Sequence, residues 1–123
     1  SMTTVNNIEG FTIATVKTEA MVKFYSNVFD IKFNEFEAYN SKLYSGKWGE
    51  LKVLLCPAEV AGVETERNRH QFDISVANIE VILKNVLSNG GKTMGEVLTS
   101  GSTKSVGIMD PDGNTIVLKQ YLS

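Results

Sequence analysis

The chain has 123 residues, of which 42% are hydrophobic and 21% charged, and this suits one compact domain or two small halves that share a core. The 12 Lys and Arg residues nearly balance the 14 Asp and Glu residues, so the basic excess typical of a nucleic-acid binder is missing. No apolar run approaches the roughly 20 residues of a membrane helix, and the first residues lack the pattern of a signal peptide, so we expect a cytoplasmic protein with no nucleic-acid or membrane partner.

The first half of the chain predicts one strand, one helix and three further strands. β-Branched residues over 11–16 predict the opening strand. Thr18 and Glu19 predict a helix start, because Thr can cap free amides and Glu suits the positive helix end. Apolar residues at helical spacing follow over 21–29. Strands are predicted over 31–39, 42–47 and 50–56, with a turn at Trp48-Gly49.

The second half repeats this order of elements. Residues 70–76 predict a strand, and Asn78 predicts the cap of a helix that ends at Gly90-Gly91. Three short strands are expected near 92–97, 105–109 and 114–121. The sequence DPDGN at 110–114 predicts a tight turn, because Pro fixes φ while Gly and Asn accept positive φ.

Each half therefore has the order β-α-β-β-β, which predicts an internal duplication. The opening strands align at an offset of 60 residues (71 − 11), which places Phe11 over Gln71 and Thr18 over Asn78. The polar, acidic segment 57–68 predicts a loop between the halves. We expect one domain with module one at 8–56, a linker at 57–69 and module two at 70–121. The alternative is an ordinary α+β domain whose halves share their order by coincidence.

Three stretches resemble one known superfamily. They are residues 12–16 with FYSNVF at 24–29, SVANIE at 75–80, and GIMDPDGNTIVL at 107–118. Together they resemble the vicinal oxygen chelate superfamily, which includes glyoxalase I, bleomycin-resistance proteins and extradiol dioxygenases. Phe29-Asp30 departs from the usual Leu-Gly of that family. The resemblance covers residues 8–121 and implies an α+β fold in which two βαβββ modules form a curved mixed sheet around a cup, with the helices outside. It also implies a homodimer.

The resemblance locates the positions at which related proteins hold a metal ion. Metal-using members place ligands on the cup face of the first and last strands of each module. The matching first-strand positions are Phe11 and Gln71, and the last-strand positions are Val53 and Val117 (117 − 53 = 64). Only Gln71 offers a donor atom, so we expect no metal and no cofactor. A one-residue shift would bring in His70, the only histidine, which would still not make a divalent-metal site.

Strand alternation extends this cup face to a set of candidate ligand-binding residues. Four aromatic residues lie on the hairpins at the predicted cup mouth: Tyr39, Tyr44, Trp48 and Tyr121. They either stack on a flat ligand, pack in the fold or contact a second copy of the chain. Tyr44 and Trp48 are included among the candidates. The candidate set is Phe11, Ile13, Thr15, Tyr44, Trp48, Val53, Gln71, Asp73, Ser75, Val117 and Lys119.

Asp73 is the one candidate for a catalytic residue. A carboxylate beside apolar side chains acts as a general base if its pKa is raised, whereas an ion pair with Lys119 would make it structural. Cys56, the only cysteine, has no predicted histidine partner and is expected to be a small buried hydrophobic residue. Asp110 and Asp112 are expected to serve only the turn.

Three functions fit these patterns. The first is a metal-free small-molecule-binding protein that resembles the bleomycin-resistance branch. The second is a metal-independent isomerase or lyase with Asp73 as general base and Gln71 or Ser75 as hydrogen-bond donor. The third is a dimeric accessory protein with a vestigial cup. The sequence leaves open whether the protein is an enzyme.

Overall fold

The structure is a computed structural model that describes residues 10–62 and 71–122. It contains two four-stranded mixed sheets, each with one main helix, and therefore has the predicted α+β fold with two βαβββ modules. The first half contains β1 (Gly10–Thr15), α1 (Thr18–Phe29), β2 (Asn34–Ala38), β3 (Ser41–Trp48), β4 (Leu51–Pro57) and the short α2 (Ala58–Ala61). The second half contains β5 (Phe72–Ser75), α3 (Ile79–Ser88), β6 (Lys92–Ser100), β7 (Thr103–Met109) and β8 (Thr115–Tyr121).

The two sheets have the same connectivity. Their strand orders are β1-β4-β3-β2 and β5-β8-β7-β6. In each sheet the first strand of the module is parallel to the last, and the other neighbours are antiparallel. The predicted order of elements is thus confirmed. The predicted loop after β4 differs, because α2 forms within it, and residues 63–70, including His70, lie outside the described ranges. The boundaries of the modules stay predictions.

The strand predicted from residue 31 begins only at Asn34. Asp30 adopts the left-handed conformation (φ 63°) and donates its backbone N–H to the Tyr25 carbonyl, which ends α1. The Ile31 N–H reaches the same carbonyl at 3.4 Å, and the Ile31 side chain is buried in the core. Residues 30–31 therefore complete the helix rather than extend the strand.

The two main helices begin in different ways. Asn78 caps α3 as predicted, because its side chain accepts a hydrogen bond from the Val81 N–H at 3.1 Å. The predicted cap at Thr18 is wrong, since Thr18 is the first helical residue and its hydroxyl is 2.7 Å from that of Thr15. No side chain at the Lys17 N-cap replaces it.

The start of α1 is instead bound by the turn of the other half. The Asp112 carboxylate accepts hydrogen bonds from the Val16 N–H at 2.6 Å and the Lys17 N–H at 2.9 Å. Asp110, 3% exposed, accepts one from the buried Tyr25 hydroxyl at 2.7 Å. The turn of the second half therefore holds the helix of the first, beyond the local role that was expected for these two aspartates.

One hydrophobic core joins the halves. It includes Met21, Phe24 and Tyr25 of α1 together with Ile108 of β7 and Leu118 of β8. Two contacts lie where the modules meet. The rings of Phe11 (β1) and Phe72 (β5) are 5.0 Å apart. A Cβ added to Gly91 would lie 2.6 Å from Phe24, so that position requires glycine for the modules to approach closely.

The pairing of the strands shows which sheet face each helix covers. In the first sheet Phe11 pairs with Val53, and Val53 pairs with Gly46, so these positions share one face. That face meets α1, because Trp48 lies 5.0 Å from Phe29 between ring centroids and a Cβ on Gly46 would approach Ile31.

In the second sheet the face covered by α3 carries Phe72, Ile74, Ile116 and Leu118. The structural repeat therefore matches Phe72 with Phe11 (72 − 11 = 61) and Ile116 with Val53 (116 − 53 = 63). The offsets of 60 and 64 taken from the sequence differ from these by one residue. A one-residue shift moves every side chain of a strand to the opposite face. The predicted cup face is therefore wrong for the first sheet.

Candidate functional site

A cavity of about 800 Å³ lies at the first sheet, between residues of β1, β3 and β4 and the segment that follows α1. Thr12 pairs with Leu54 and Leu54 with Ser45, so these three side chains share the face opposite Val53. Residues of β1, β4 and β3 thus form the floor, and the segment that leads from α1 into β2 adds to the wall. The residues that shape the cavity include Thr12, Asn34, Ser45, Lys47, Lys52 and Leu54.

The floor combines polar and apolar groups. Thr12 and Ser45 contribute hydroxyls, which both donate and accept hydrogen bonds, and Leu54 lies between them as an apolar contact. A mostly apolar surface with a few polar groups is the usual composition of a small-molecule site.

The rim of the cavity carries an excess of positive charge. Among the described residues, Lys32, Lys47 and Lys52 lie there together with a single acidic residue, Asp30. All four side chains are exposed. None of the three lysines forms an ion pair with a residue in the ranges 10–62 and 71–122.

The corresponding face of the second sheet holds a paired charge. Asp73 and Ser75 lie there with Val117 and Lys119, as predicted. The Lys119 ammonium is 3.0 Å from the Asp73 carboxylate, and this hydrogen bond and charge raise the pKa of Lys119. The structural alternative for Asp73, the ion pair with Lys119, is therefore the arrangement observed. Gln71 lies next to this face and accepts a hydrogen bond from the Thr115 hydroxyl at 2.8 Å.

The six candidates from the first half lie on the face that meets α1. They are Phe11, Ile13, Thr15, Tyr44, Trp48 and Val53. Phe11 and Val53 adjoin the cavity, but the Val53 side chain is only 1% exposed and belongs to the core. These six placements in the cup are wrong because α1 covers the face with the larger apolar side chains. The ligand-binding role of all eleven candidates stays a prediction.

The four hairpin aromatics are not brought together. Trp48 packs on Phe29 and on Tyr25, with ring centroids 5.0 and 5.7 Å apart. The Tyr44 hydroxyl donates a hydrogen bond to Glu35 at 3.4 Å, whereas Tyr39 and Tyr121 are 80% and 64% exposed. Partial burial and the Glu35 charge raise the pKa of Tyr44. For Trp48, packing in the fold is thus the alternative that the structure supports.

The cavity residues Thr12, Ser45 and Leu54 and the lysines beside them are not among the residues predicted from the sequence. The sequence does contain a pattern that indicates which face of the sheet these residues occupy. On β3 and β4 the lysines at 47 and 52 alternate with Trp48 and Val53, and charged side chains mark the face that the helix leaves uncovered. Matching the two helix N-caps, Lys17 and Asn78, gives the structural offset of 61 directly (78 − 17).

The residues of this fold do not fit the metal site of metal-using relatives. With the corrected faces, the first- and last-strand positions are Thr12 and Leu54 in the first sheet and Asp73 and Val117 in the second. The one carboxylate among them is paired with Lys119. Within the described ranges no group of three or more His, Cys, Asp and Glu side chains could hold an ion. The expected absence of a metal, which followed from Phe11, Val53, Val117 and Gln71, stays a prediction, with Thr12 and Leu54 as the positions in the first sheet.

Three buried titratable groups of the described ranges, Cys56, Asp110 and Tyr25, lie outside the cavity. Burial raises the pKa of the Cys56 thiol, which disfavours the nucleophilic thiolate and agrees with the expected hydrophobic role. Burial also raises the pKa of Asp110, although hydrogen bonds from Asn114, Tyr25 and Asp112 act in the opposite direction. Tyr25 has a pKa well above its ordinary value through burial and the adjacent Asp110 charge, so it remains the donor of their hydrogen bond.

The fold and the cavity define a class of two-module α+β proteins. The chain belongs to the Glyoxalase-like domain family, which matches residues 10–118, and the predicted superfamily is confirmed. None of the curated protein sequences compared with the chain matches it. No helix in the described part of the chain is long and apolar enough to cross a membrane.

Solved structures with the same fold share little sequence with this chain. A glyoxalase/bleomycin resistance protein/dioxygenase family enzyme from Burkholderia phytofirmans PsJN has a TM-score of 0.74 at 17% identity, covering 94% of this chain and 98% of that one. The fosfomycin resistance protein FosX from Mesorhizobium loti has 0.70 at 16%, covering 94% and 92%. TnmS3, an antibiotic binding protein from Streptomyces sp. CB03234, has 0.72 at 14%, covering 98% and 99%.

Proposed function

We propose that this protein binds a small organic molecule, without metal and without chemical change, in the cavity of the first sheet. The observation that carries the proposal is the cavity itself. Its volume of about 800 Å³ lies within the roughly 300–1,000 Å³ of small-molecule sites. Its floor offers hydroxyls beside an apolar side chain, which would orient a ligand while excluding water from part of it.

The family supports a binding role by analogy. The chain shares its fold with TnmS3, which is named as an antibiotic binding protein, and the proposal resembles the bleomycin-resistance branch in having binding as the whole function. The analogy concerns the scaffold, because the two chains share the fold but only 14% of their sequence. A homodimer and a cytoplasmic location accompany the proposal as predictions.

The two other functions receive less support from the same geometry. A general base needs a carboxylate that is free to accept a proton from the substrate, and the Asp73 carboxylate is 3.0 Å from the Lys119 ammonium. An accessory protein with a vestigial cup would be expected to fill the space with side chains, whereas the first sheet retains an open cavity.

The test is a pair of matched tryptophan substitutions. Leu54 and Val117 occupy equivalent positions of the repeat (117 − 54 = 63), on the uncovered faces of the first and second sheets. A panel of anionic, neutral and cationic metabolites is screened by thermal shift, because a ligand at about 100 times its Kd stabilises a protein by about 2.7 kcal/mol. Each hit is then titrated by calorimetry against wild type, Leu54→Trp and Val117→Trp.

We expect Leu54→Trp to weaken binding of a hit at least about tenfold, equivalent to about 1.4 kcal/mol, and Val117→Trp to leave it unchanged. Thr12→Phe is a second blocking variant, since Thr12 is exposed and a larger side chain there would not disturb the core. The proposal is overturned if no member of the panel binds, or if neither blocking variant weakens any hit. Product formation from a hit by the wild type would show that binding is not the whole function.

A further inference from the structure

We propose that the ligand of this cavity is an anion, a small molecule with an apolar part and a carboxylate, phosphate, phosphonate or sulfonate group. The inference rests on the proposed binding function and adds the class of ligand. It depends on the charges around the cavity and on how the strands place them.

The charge of the cavity is opposite in sign to the charge of the whole chain. The chain carries a net charge of −2 at pH 7. Among the described residues around the cavity, however, Lys32, Lys47 and Lys52 face one carboxylate, Asp30. A concave surface of one sign concentrates the field of its charges and attracts ligands of the opposite sign.

Two of these lysines are held side by side. Lys47 of β3 and Lys52 of β4 are direct partners in the antiparallel ladder, so both side chains leave the sheet on the same face. Side chains at such positions start about 4.5–5.5 Å apart, and like charges directly opposite each other destabilise a sheet. On the other side of Lys52 the ladder partner is Gly10, which has no side chain to intervene.

Three other lysines of the chain have acidic partners, whereas Lys17, Lys23, Lys84 and Lys92 have none within the described ranges. Lys42 pairs with Glu35, Lys104 with Glu80 and Lys119 with Asp73. The direct pair at the cavity has none within the described ranges. An anionic group bound between the Lys47 and Lys52 ammonium groups would supply the negative charge that no residue of 10–62 or 71–122 places beside them.

The neighbouring groups suit the rest of such a ligand. Ammonium groups on flexible stems act as point charges, so they bind an anionic oxygen without the planar geometry that arginine imposes. The Thr12 and Ser45 hydroxyls can donate hydrogen bonds to further ligand oxygens. Leu54 provides the contact for the apolar part.

The experiment compares ligands of one shape and different charge. The probes are 2-naphthoate, 2-naphthylphosphonate, neutral 2-naphthamide and cationic 2-naphthylmethylammonium, each titrated by calorimetry at low and high NaCl concentration. The variants are Lys47→Gln/Lys52→Gln and the control Lys23→Gln/Lys84→Gln, which makes the same change in net charge at exposed positions on the two helices. Comparison of the carboxylate with the phosphonate distinguishes the two types of anion.

We expect at least one anionic probe to bind wild type about tenfold more tightly than the amide, with the cation weakest, since each exposed charge pair contributes a small, salt-dependent amount. The difference should disappear in Lys47→Gln/Lys52→Gln and at high salt, and persist in the control. Melting curves establish that each variant is folded, and Lys32→Gln gives an independent loss of positive charge.

The outcomes separate this inference from the proposed function. Equal affinity for anion, amide and cation, or an anion preference that survives in Lys47→Gln/Lys52→Gln, overturns the inference while the binding function stands. A cavity that binds none of the four probes but does bind a neutral or cationic hit, with binding lost in Leu54→Trp, also overturns it. If no molecule binds in the cavity, the proposed function fails first.

Discussion

The two sheets have the same connectivity, but their uncovered faces and their last turns differ. The first sheet has a cavity bordered by lysines that have no acidic partner in the described part of the chain, and it joins β3 to β4 through the two residues Gly49 and Glu50. The second sheet carries the Asp73–Lys119 ion pair on the same face and joins β7 to β8 through the longer DPDGN turn at 110–114.

This difference indicates that the second half stabilises the fold, whereas the first half is open to a ligand. The longer turn of the second half contacts α1 of the first half. Asp110 accepts a hydrogen bond from Tyr25, and Asp112 accepts two from the backbone at the start of α1. The second half thus holds the first in place. Among the described residues, the first half has no counterpart of these contacts, and its open face remains available for a ligand. Substitutions in the two halves should therefore affect stability and binding differently.

The largest effect on stability is expected from Asp110→Ala. The Asp110 carboxylate accepts hydrogen bonds from Tyr25, Asp112 and Asn114, and its removal leaves buried donors without an acceptor. We expect a loss of about 3 kcal/mol in the free energy of unfolding, measured with urea. Tyr25→Phe, which removes one donor and leaves the others, should cost about 1 kcal/mol. If Asp110→Ala lowers the free energy of unfolding by less than Tyr25→Phe does, the turn does not hold the halves together.

A smaller effect is expected from Asp112→Ala. Asp112 accepts two backbone hydrogen bonds at the start of α1, whereas Asn78 accepts one at the start of α3. We expect Asp112→Ala to cost about 1–2 kcal/mol and Asn78→Ala about 1 kcal/mol in urea unfolding. If Asp112→Ala costs nothing while Asn78→Ala has its expected cost, α1 does not depend on the second half for its start.

The effect of pH on stability should also depend on Asp110. Its folded pKa is raised above the ordinary 3.8, so over a window that begins near this value the folded state binds more protons than the unfolded state. The stability that wild type has relative to Asp110→Asn must therefore decrease as pH rises through the window and then become constant. Urea unfolding of both proteins at several pH values from 4 to 7 measures this difference. An increase with pH would mean that the hydrogen bonds to the carboxylate outweigh its burial.

The smallest expected effects have opposite signs in the two sheets. Lys47→Gln removes repulsion from Lys52, so its melting temperature should rise by about 1–3 °C. Lys119→Gln removes the ion pair with Asp73, so its melting temperature should fall slightly. Calorimetric melting at low salt measures both, and high salt should reduce both changes. A fall in the melting temperature of Lys47→Gln would indicate an acidic partner for this lysine outside residues 10–62 and 71–122.

Features that depend on neighbouring residues could be predicted from the sequence. The Asn78 cap and the DPDGN turn are local, because the groups that stabilise them lie within a few residues. The bond from Asp112 to residues 16 and 17 joins parts of the chain 95 and 96 residues apart, and no local pattern indicates it. For the same reason the sequence suggested a cap at Thr18, where the structure has none.

The sequence alone predicts the order of the strands and helices, their approximate limits and the superfamily. It does so because hydrophobic periodicity, helix caps and turns each depend on a few neighbouring residues. The tertiary structure decided which face of the first sheet α1 covers. Both faces of β1 and β4 carry apolar residues, with Phe11, Ile13 and Val53 on one and Ala14 and Leu54 on the other. Alternation shows that the two faces differ, but only packing against the aromatic side chains of α1 determines which becomes core and which holds the cavity.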